Sequence, residues 1–365
     1  MSHDASLNFR LERRHGSITT PEARTESLEN PGFGRVFTDH MVTIRYSAER
    51  GWHDATVEPR APIPLDPAAA VLHYAQEIFE GLKAYRTRGG AVVLFRPQHN
   101  AQRFQQSAAR LAMPVLPTDW FIEALHQLVS VDRDWIPDGE RSLYLRPFMI
   151  ATQPFLGVKP ASEYLFVTIA SVAGAYFQGE EKALSIWISD EYSRAAPGGT
   201  GSAKCGGNYA AGLLAQAEAT RNGCDQVLFV DAAQRQWVEE LGGMNVFFVF
   251  KDGSMLTPPL NGCILPGVTR ASLLTLADDL GVPAVERPYS LKQLQDDAKS
   301  GHLIEAFACG TAAVLAGIGT IKMRQGELVI GNGHEGVRTR QFRSKLVGIQ
   351  RGECADTHGW VHRVL

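Results

Sequence analysis

Strand-like and helix-like segments follow one another along this chain without the strict β-α-β alternation that a doubly wound parallel sheet requires. The strand-like runs "HMVTIRYS" and "WHDATVEP" flank the turn "AERG", and "GLKAYRTRGGAVVLFRP" reads as a hairpin around "TRGG". Helical patterns follow over about 97–111 and about 119–132, the second with Thr118 and Asp119 as N-cap candidates, and then two strands, "RSLYLRPFMIA" and "EYLFVTIASVAG". Residues 172–182 are small and polar with no period, which marks a linker. Beyond it the mixture resumes. Strand "LSIWISD" precedes a helix over 209–221 that stops at Asn222–Gly223, and strands "DQVLFVD" and "WVEELGGMNVFFVF" come next. A helix runs from near Thr269 to Gly281, Ser290 caps a short one, "HLIEAFACGTAAVLAGIG" is strand–turn–strand, and "EGVRTRQFRSKLVGIQRG" is a C-terminal helix. The pattern predicts an α+β protein in two domains, each a mixed sheet with packed helices. Residues 1–30 form an N-terminal arm, 31–171 a small domain, 172–182 the linker and 183–365 a larger domain. At 365 residues there is chain enough for two cores.

Several function classes are excluded early. Apolar residues make up 44% and charged residues 21%, and 36 Lys and Arg against 39 Asp and Glu leave a net charge of −3. No basic field invites nucleic acid or a membrane surface. The cysteines at 205, 224, 263, 309 and 354 are odd in number, scattered and free of any CxxC pair, so neither a disulfide framework nor a metal site is expected. The start, "MSHDASLNFRLERRHGS", has no apolar signal core, and "AFACGTAAVLAGIG" is too short and glycine-rich to span a bilayer. The expectation is a cytoplasmic enzyme.

The most telling stretch is "SRAAPGGTGSAKCGGNYAAGLLAQAEA", residues 193–219, where glycines 198, 199, 201, 206 and 207 bracket Lys204. A phosphate-cradling P-loop needs Gly immediately before its Lys and Ser or Thr after it; "GGTGSAKCGG" supplies neither. The other chemistry for such a lysine is covalent. An amine forms a Schiff base with an aldehyde cofactor such as pyridoxal phosphate, and glycines give the room in which a substrate displaces it. An exposed lysine in a mobile loop is the bland alternative, and the rest of the sequence weighs against it.

A cofactor of that kind also needs a phosphate cup, an acid against the pyridine nitrogen and a wall for the ring. In "LPGVTRA", Gly267 permits a tight turn and the amides of Val268 and Thr269 open a helix. "ACGTAA" offers the Thr311 hydroxyl and the amides of Ala312 and Ala313, and Arg96 in "LFRP" is a candidate cation. Glu240 in "EELGGMN" is the candidate acid; Glu239 should point to the other side of the strand, and a solvated strand edge is the competing reading of the pair.

Together "RAAPGGTGSAKCGGNYA", "EELGGMN", "GCILPGVTR" and "FACGTAA" resemble the ordered motifs of class IV, fold-type IV pyridoxal-phosphate aminotransferases. With "GFGRVFTDHM", "LHYAQEIFEGLKAYR", "LFRPQHNAQRF" and "LYLRPF" the chain resembles the branched-chain amino-acid aminotransferases, from roughly residue 31 to the C-terminal helix. The resemblance implies a fold with its active site at the domain interface, pyridoxal 5′-phosphate as cofactor, and a homodimer in which the loops near "HYAQ" and "PFLGV" reach the neighbouring site. It implies Lys204 as the Schiff-base lysine and proton carrier, Tyr209 on the cofactor's phenolic oxygen, and Glu240 on its ring nitrogen with Asn245 in support. Arg194 becomes a neighbouring cofactor contact; Arg96, the Gly267–Thr269 turn and Thr311 become the phosphate site. The amides of Ala312 and Ala313 would take the substrate carboxylate. Phe33, Phe37, Tyr74, Phe79 and Tyr144 would line the side-chain pocket, with Arg146 meeting the second carboxylate of glutamate. Mammalian relatives carry a redox CxxC after the "GT" turn; Ala313 and Ala316 stand there, so that regulation is not expected, although Cys309 is close by.

The reaction so implied is reversible, ping-pong transamination of leucine, isoleucine and valine with 2-oxoglutarate. A D-amino-acid aminotransferase or an aminodeoxychorismate lyase shares the fold, and the N-terminal arm and "FEGLKAYR" favour the branched-chain enzyme. A non-catalytic cofactor-binding protein would require Lys204, Tyr209 or Glu240 to be missing, and all three are present.

Overall fold

The computed structural model describes residues 8–12, 18–174 and 183–365. The first half runs β1 (Arg10–Leu11), α1 (Pro21–Glu29), β2 (Phe37–Ser47), β3 (Gly51–Pro59), α2 (Ala70–Tyr74), β4 (Glu77–Phe79), β5 (Leu82–Arg86), β6 (Val92–Phe95), α3 (Pro97–Arg110), α4 (Thr118–Val131), β7 (Ser142–Ala151) and β8 (Glu163–Ala173). The second runs β9 (Leu184–Ser189), α5 (Gly206–Arg221), β10 (Gln226–Val230), β11 (Val238–Leu241), β12 (Asn245–Phe250), β13 (Met255–Thr257), α6 (Val268–Asp279), β14 (Ala284–Glu286), α7 (Leu291–Ser300), β15 (Leu303–Gly310), β16 (Val314–Met323), β17 (Gly326–Val329), α8 (Val337–Gln350) and β18 (Val361–Arg363). Two compact units result: one holds the chain up to Tyr176 together with Ile349–Leu365, the other Phe177–Gly348.

In the first unit the strand order is β1-β3-β2-β8-β7-β5-β6-β18, with β4 also on β7. Strand β8 is apolar almost throughout because both of its faces are covered. Phe166 packs with Phe104 of α3 and Phe121 of α4, ring centroids 5.4–6.1 Å apart, while its neighbours Leu165 and Val167 face Met41 and Ile150 on the other side. In the second unit the order is β11-β10-β9-β16-β15-β12-β13-β14, with β17 also on β16. Strand β9 lies parallel to both of its neighbours, so the sheet is mixed. Ile186, Leu228, Phe248, Ala308 and Ile318 fill one face; Trp187, Val227 and Phe229 meet Ala215 and Ala219 on the other. Both units are α+β, as the absence of alternation predicts.

Four local expectations need revision. The arm contains helix α1, whose Thr20 hydroxyl accepts from the Ala23 amide at 3.3 Å; none of its residues is buried, so it lacks the apolar period by which a helix is read. Helix α4 is capped at Pro117, which places Thr118 and Asp119 inside the first turn. Strand β8 pairs with β7 through Ala173, so the expected linker begins inside a strand; its residues 175–182 lie outside the described ones. Finally, β18 pairs antiparallel with β6, which assigns the last residues to the first unit and not to a domain running from 183 to 365.

Candidate active site

The glycines around Lys204 have separate jobs. A Cβ on Gly201 would stand 2.4 Å from the Cys263 carbonyl oxygen and 2.7 Å from Ala195 Cβ, so the loop packs closer there than any side chain allows. Beyond it Asn208 ties the loop down: its Nδ2 donates to the Thr200 and Ala203 carbonyls at 2.7 and 2.8 Å, and its Oδ1 accepts from the Thr200 hydroxyl at 2.7 Å. Lys204 therefore leaves a fixed loop directly before α5, half-buried. Its Nζ lies 2.8 Å from the hydroxyl of Tyr209, in the first turns of that helix.

Glu240 sits on β11, 3% exposed, and its carboxylate is held from three directions. Oε1 forms an ion pair with Arg194 Nη1 at 2.9 Å and accepts from the Leu265 amide at 2.8 Å; Oε2 accepts from Asn245 Nδ2 at 3.1 Å. Burial pushes its pKa up to about 7, against the downward pull of Arg194, the Leu265 amide and Lys204. Arg194 is itself buried and reaches the Cys263 carbonyl at 2.9 Å and that of Gly201 at 3.3 Å, so one guanidinium joins the acid to the lysine loop. Glu239 is also buried, accepts from Asn261 Nδ2 at 3.3 Å, and has its pKa raised, chiefly by burial. The solvated-edge reading of this pair fails because β11, although an edge strand, is covered along its whole length.

Asn245 carries the order onward. Its Nδ2 also donates to the Leu265 carbonyl at 3.0 Å, and a Cβ on Gly267 would stand 2.0 Å from its Oδ1. Gly267 is the N-cap of α6 and offers no side-chain cap, so Val268 and Thr269 open the helix with their amides toward its positive end. Gly267→Ala should cost ~1–3 kcal/mol by overpacking and disturb the support of Glu240; urea denaturation of the variant measures it. Thr311, Ala312 and Ala313 make the turn between β15 and β16, and Val314, which closes it, has φ of 61°. A β-branched residue in the left-handed region is strained, and such strain persists where the surroundings fix it. Cys309 is fully buried, its thiol pushed far up by burial, so it is not poised for oxidation.

The remaining residues lie in the first unit. Tyr144 and Arg146 are two apart on β7 and share a face. The Arg146 guanidinium lies over the rings of Phe79 at 4.9 Å and Tyr144 at 5.4 Å, and Nη2 is 3.2 Å from the Tyr144 hydroxyl. Phe33 meets Tyr144 edge-on at 5.0 Å. A Cβ on Gly81 would stand 2.0 Å from the Tyr144 hydroxyl, and beside that glycine Glu80 is fully buried under a bidentate bond from Arg103 at 2.7 and 2.9 Å, features the sequence does not disclose. Phe37 stacks with Arg60 at 5.1 Å, and Tyr74 is exposed and donates to the Leu156 carbonyl; these contacts, unlike those of Phe33 and Phe79, are not to the Tyr144 cluster. Arg96 caps α3 with φ of 50°, its guanidinium over the Trp360 ring at 4.9 Å and its Nη2 2.7 Å from His99 Nε2.

A sequence model of the class IV amino-transferases matches residues 77–321. The chain is 56% identical to the branched-chain-amino-acid aminotransferase of Mycolicibacterium smegmatis, over 94% of this chain and 95% of that one. It is 53% identical to that of Mycobacterium tuberculosis, over 98% and 99%. The chain belongs to the branched-chain-amino-acid aminotransferases of class IV. Among solved structures, the Escherichia coli branched-chain enzyme superposes with a TM-score of 0.73 at 28% identity, covering 85% of this chain and 97% of that one. A branched-chain amino acid aminotransferase from T.th., solved with pyridoxamine 5′-phosphate, gives 0.73 at 26% identity, covering 88% and 98%. Pyridoxal 5′-phosphate is the cofactor of this family, and the residues fit it. A lysine amine is bonded to a phenol, a buried carboxyl is held where a cationic ring nitrogen would favour its ionised form, and helix α6 opens without a side-chain cap.

Proposed function

We propose that this enzyme transfers the amino group of leucine, isoleucine or valine to 2-oxoglutarate, working as a homodimer in the cytoplasm. Bound pyridoxal phosphate supplies an electron sink for the substrate's α-carbon. The observation that carries the reading is the Lys204–Tyr209–Glu240–Arg194 constellation, a base with a partner phenol and an acid with a fixed cation.

Lys204 would hold the bound cofactor and carry the substrate's α-proton, with the Tyr209 hydroxyl keeping its Nζ in place. Glu240, fixed by Arg194, Leu265 and Asn245, would keep the cofactor's ring nitrogen protonated. By the family pattern, the α6 amides of Val268 and Thr269, the Thr311 hydroxyl and Arg96 would bind the phosphate ester, and the amides of Ala312 and Ala313 the substrate carboxylate. Phe33, Phe79 and Tyr144 present an apolar wall to branched side chains; a methylene more or less changes binding by only ~1–3 kcal/mol, so all three amino acids should react. Phe37 and Tyr74 complete that wall by the family pattern alone.

Arg146 gives the same wall one cation. Arg146→Met should lower kcat/KM for 2-oxoglutarate by ~10–100-fold, the cost of a lost charge-assisted hydrogen bond, and leave the leucine half-reaction within about threefold. Stopped-flow measurement of the two half-reactions separates them.

The dimer reading rests on the α2 segment leading into "HYAQ" and on the "PFLGV" loop at 154–158. They are joined through Ala69 and Pro154 and through the Phe155 amide, which donates to the Ala68 carbonyl at 3.0 Å, and they expose Leu72, Leu156 and Val158 at 57%, 66% and 88%. Light scattering should give twice the chain mass; a monomer removes this part of the proposal. The activity itself is tested by the absorbance spectrum of the holoenzyme: leucine should bleach the aldehyde form and 2-oxoglutarate restore it. Response to D-alanine or aminodeoxychorismate alone would point to the fold's other activities.

A further inference from the structure

The C-terminal strand β18 lies outside the matched family region, yet it is built around a residue of the proposed phosphate site. Arg96 stands before Pro97 with φ of 50° and ψ of 43°, a conformation that a residue preceding proline avoids. Three contacts to the C-terminal segment oppose that preference. The Arg96 amide donates to the Trp360 carbonyl at 2.7 Å, Phe95 and Val361 are register partners in the sheet, and the guanidinium lies 4.9 Å above the Trp360 ring. The ring is itself held between Phe95, edge-on at 5.6 Å, and His358, stacked at 4.6 Å. The Asp356 carboxylate accepts from the Val361 amide at 2.7 Å, and His362 Nε2 lies 2.8 Å from His126 Nε2 of α4. A buried cation held over an indole face keeps its N–H groups for an anion, and here His99 fixes the place of one of them.

We propose that Trp360 is a positioning residue for the cofactor's phosphate ester: it fixes where the Arg96 guanidinium stands, so the C-terminal strand belongs to the cofactor-binding apparatus. The inference rests on the reading of Arg96 as a phosphate ligand. Its ligand chemistry is a phosphate monoester, and pyridoxal, which lacks that group, is the natural control.

The test is the dissociation constant of the full-length apoenzyme for pyridoxal phosphate and for pyridoxal, read from the absorbance change at the aldehyde band. It is measured in Trp360→Leu, Trp360→Phe, Arg96→Gln and the Arg96→Gln/Trp360→Leu double variant. Trp360→Leu should weaken pyridoxal phosphate by about tenfold, the size of a desolvated cation–π contact, and leave pyridoxal within about twofold. Trp360→Phe should recover most of the loss, and in the Arg96→Gln background Trp360→Leu should add nothing. Equal losses for both ligands, or full additivity with Arg96→Gln, overturn the proposal and make Trp360 a packing residue only. If Arg96→Gln weakens pyridoxal phosphate selectively while Trp360→Leu does not, the positioning role alone falls. If Arg96→Gln is itself not selective, the phosphate reading of Arg96 falls and takes the proposal with it. Should Trp360→Leu not fold, Trp360→Met, which also removes the aromatic face, takes its place with the same expected selectivity, and no selectivity there overturns the proposal.

Discussion

Lys204→Ala should fold, bind pyridoxal phosphate and lose turnover of leucine by at least ~10³-fold. The fold survives because the loop is fixed by others: Gly201 against Cys263, Asn208 against Thr200 and Ala203, and Arg194 against Gly201. The lysine amine itself is half-buried and has Tyr209 beside it, so truncation leaves no large apolar void. A positioned proton-transfer group is worth ~10²–10⁴ in rate, and the covalent tether adds to that, which sets the size of the loss. Borohydride reduction followed by peptide mass spectrometry provides a readout apart from rate. Wild type should carry the reduced cofactor on the peptide containing Lys204, and the variant should carry none. Turnover within about tenfold of wild type, or labelling of another lysine in the wild-type chain, would remove Lys204 from the centre of the mechanism. Exogenous small amines should restore part of the variant's rate, because they supply the base without the tether.

Much of this site is legible in the sequence because its residues are placed by local rules. Lys204 and Tyr209 are brought together by a glycine loop running straight into a helix, and Tyr144 and Arg146 by the period of a strand. Glu240 and Asn245 face each other because Gly242 and Gly243 bend the chain between them. What stays hidden is set by packing between distant segments. Alternation separates Glu239 from Glu240, but only tertiary structure shows that the 261–263 segment reaches Glu239 and leaves both carboxyls buried. The requirement for glycine at 81 comes from the Tyr144 hydroxyl and at 267 from Asn245, contacts with no sequence period. Strand β18 is three residues long and carries no turn signal; its partner β6 is chosen by register across most of the chain. Helix α1 escapes because it has no apolar face. The class of fold and the placing of Lys204 beside Tyr209 thus follow from short-range patterns, whereas the contacts that hold Glu240 and Arg96 in place do not.

Glu240→Gln separates the two demands made on that acid, and it should lower kcat for leucine by ~10²–10³-fold, the scale of losing one preorganised electrostatic group. The glutamine side chain is isosteric and its carbonyl oxygen still accepts from the Leu265 amide, while the ion pair with Arg194 and the bond from Asn245 Nδ2 are given up, and a neutral amide has no negative charge to keep a proton on the ring nitrogen. The same change should make the apoenzyme more stable at neutral pH. In the folded chain the carboxyl titrates near 7, raised from 4.5 in the first place by burial, so the folded state holds a proton that the unfolded state releases. Its stabilising contribution is complete below about pH 4.5 and is lost as pH rises through about 7, a change of about 3 kcal/mol for a shift of this size. The difference in unfolding free energy between Glu240→Gln and wild-type apoenzyme should therefore grow from about pH 4.5 to about 7 and then level off. In the holoenzyme the slope should shrink, since a cationic ring nitrogen lowers the carboxyl's pKa toward its unfolded value. Urea melts of apo and holo forms across that window measure both slopes. A flat difference in the apoenzyme would mean that Arg194 keeps the carboxylate ionised unaided, and an equal slope in the holoenzyme would mean that Glu240 does not face the ring nitrogen.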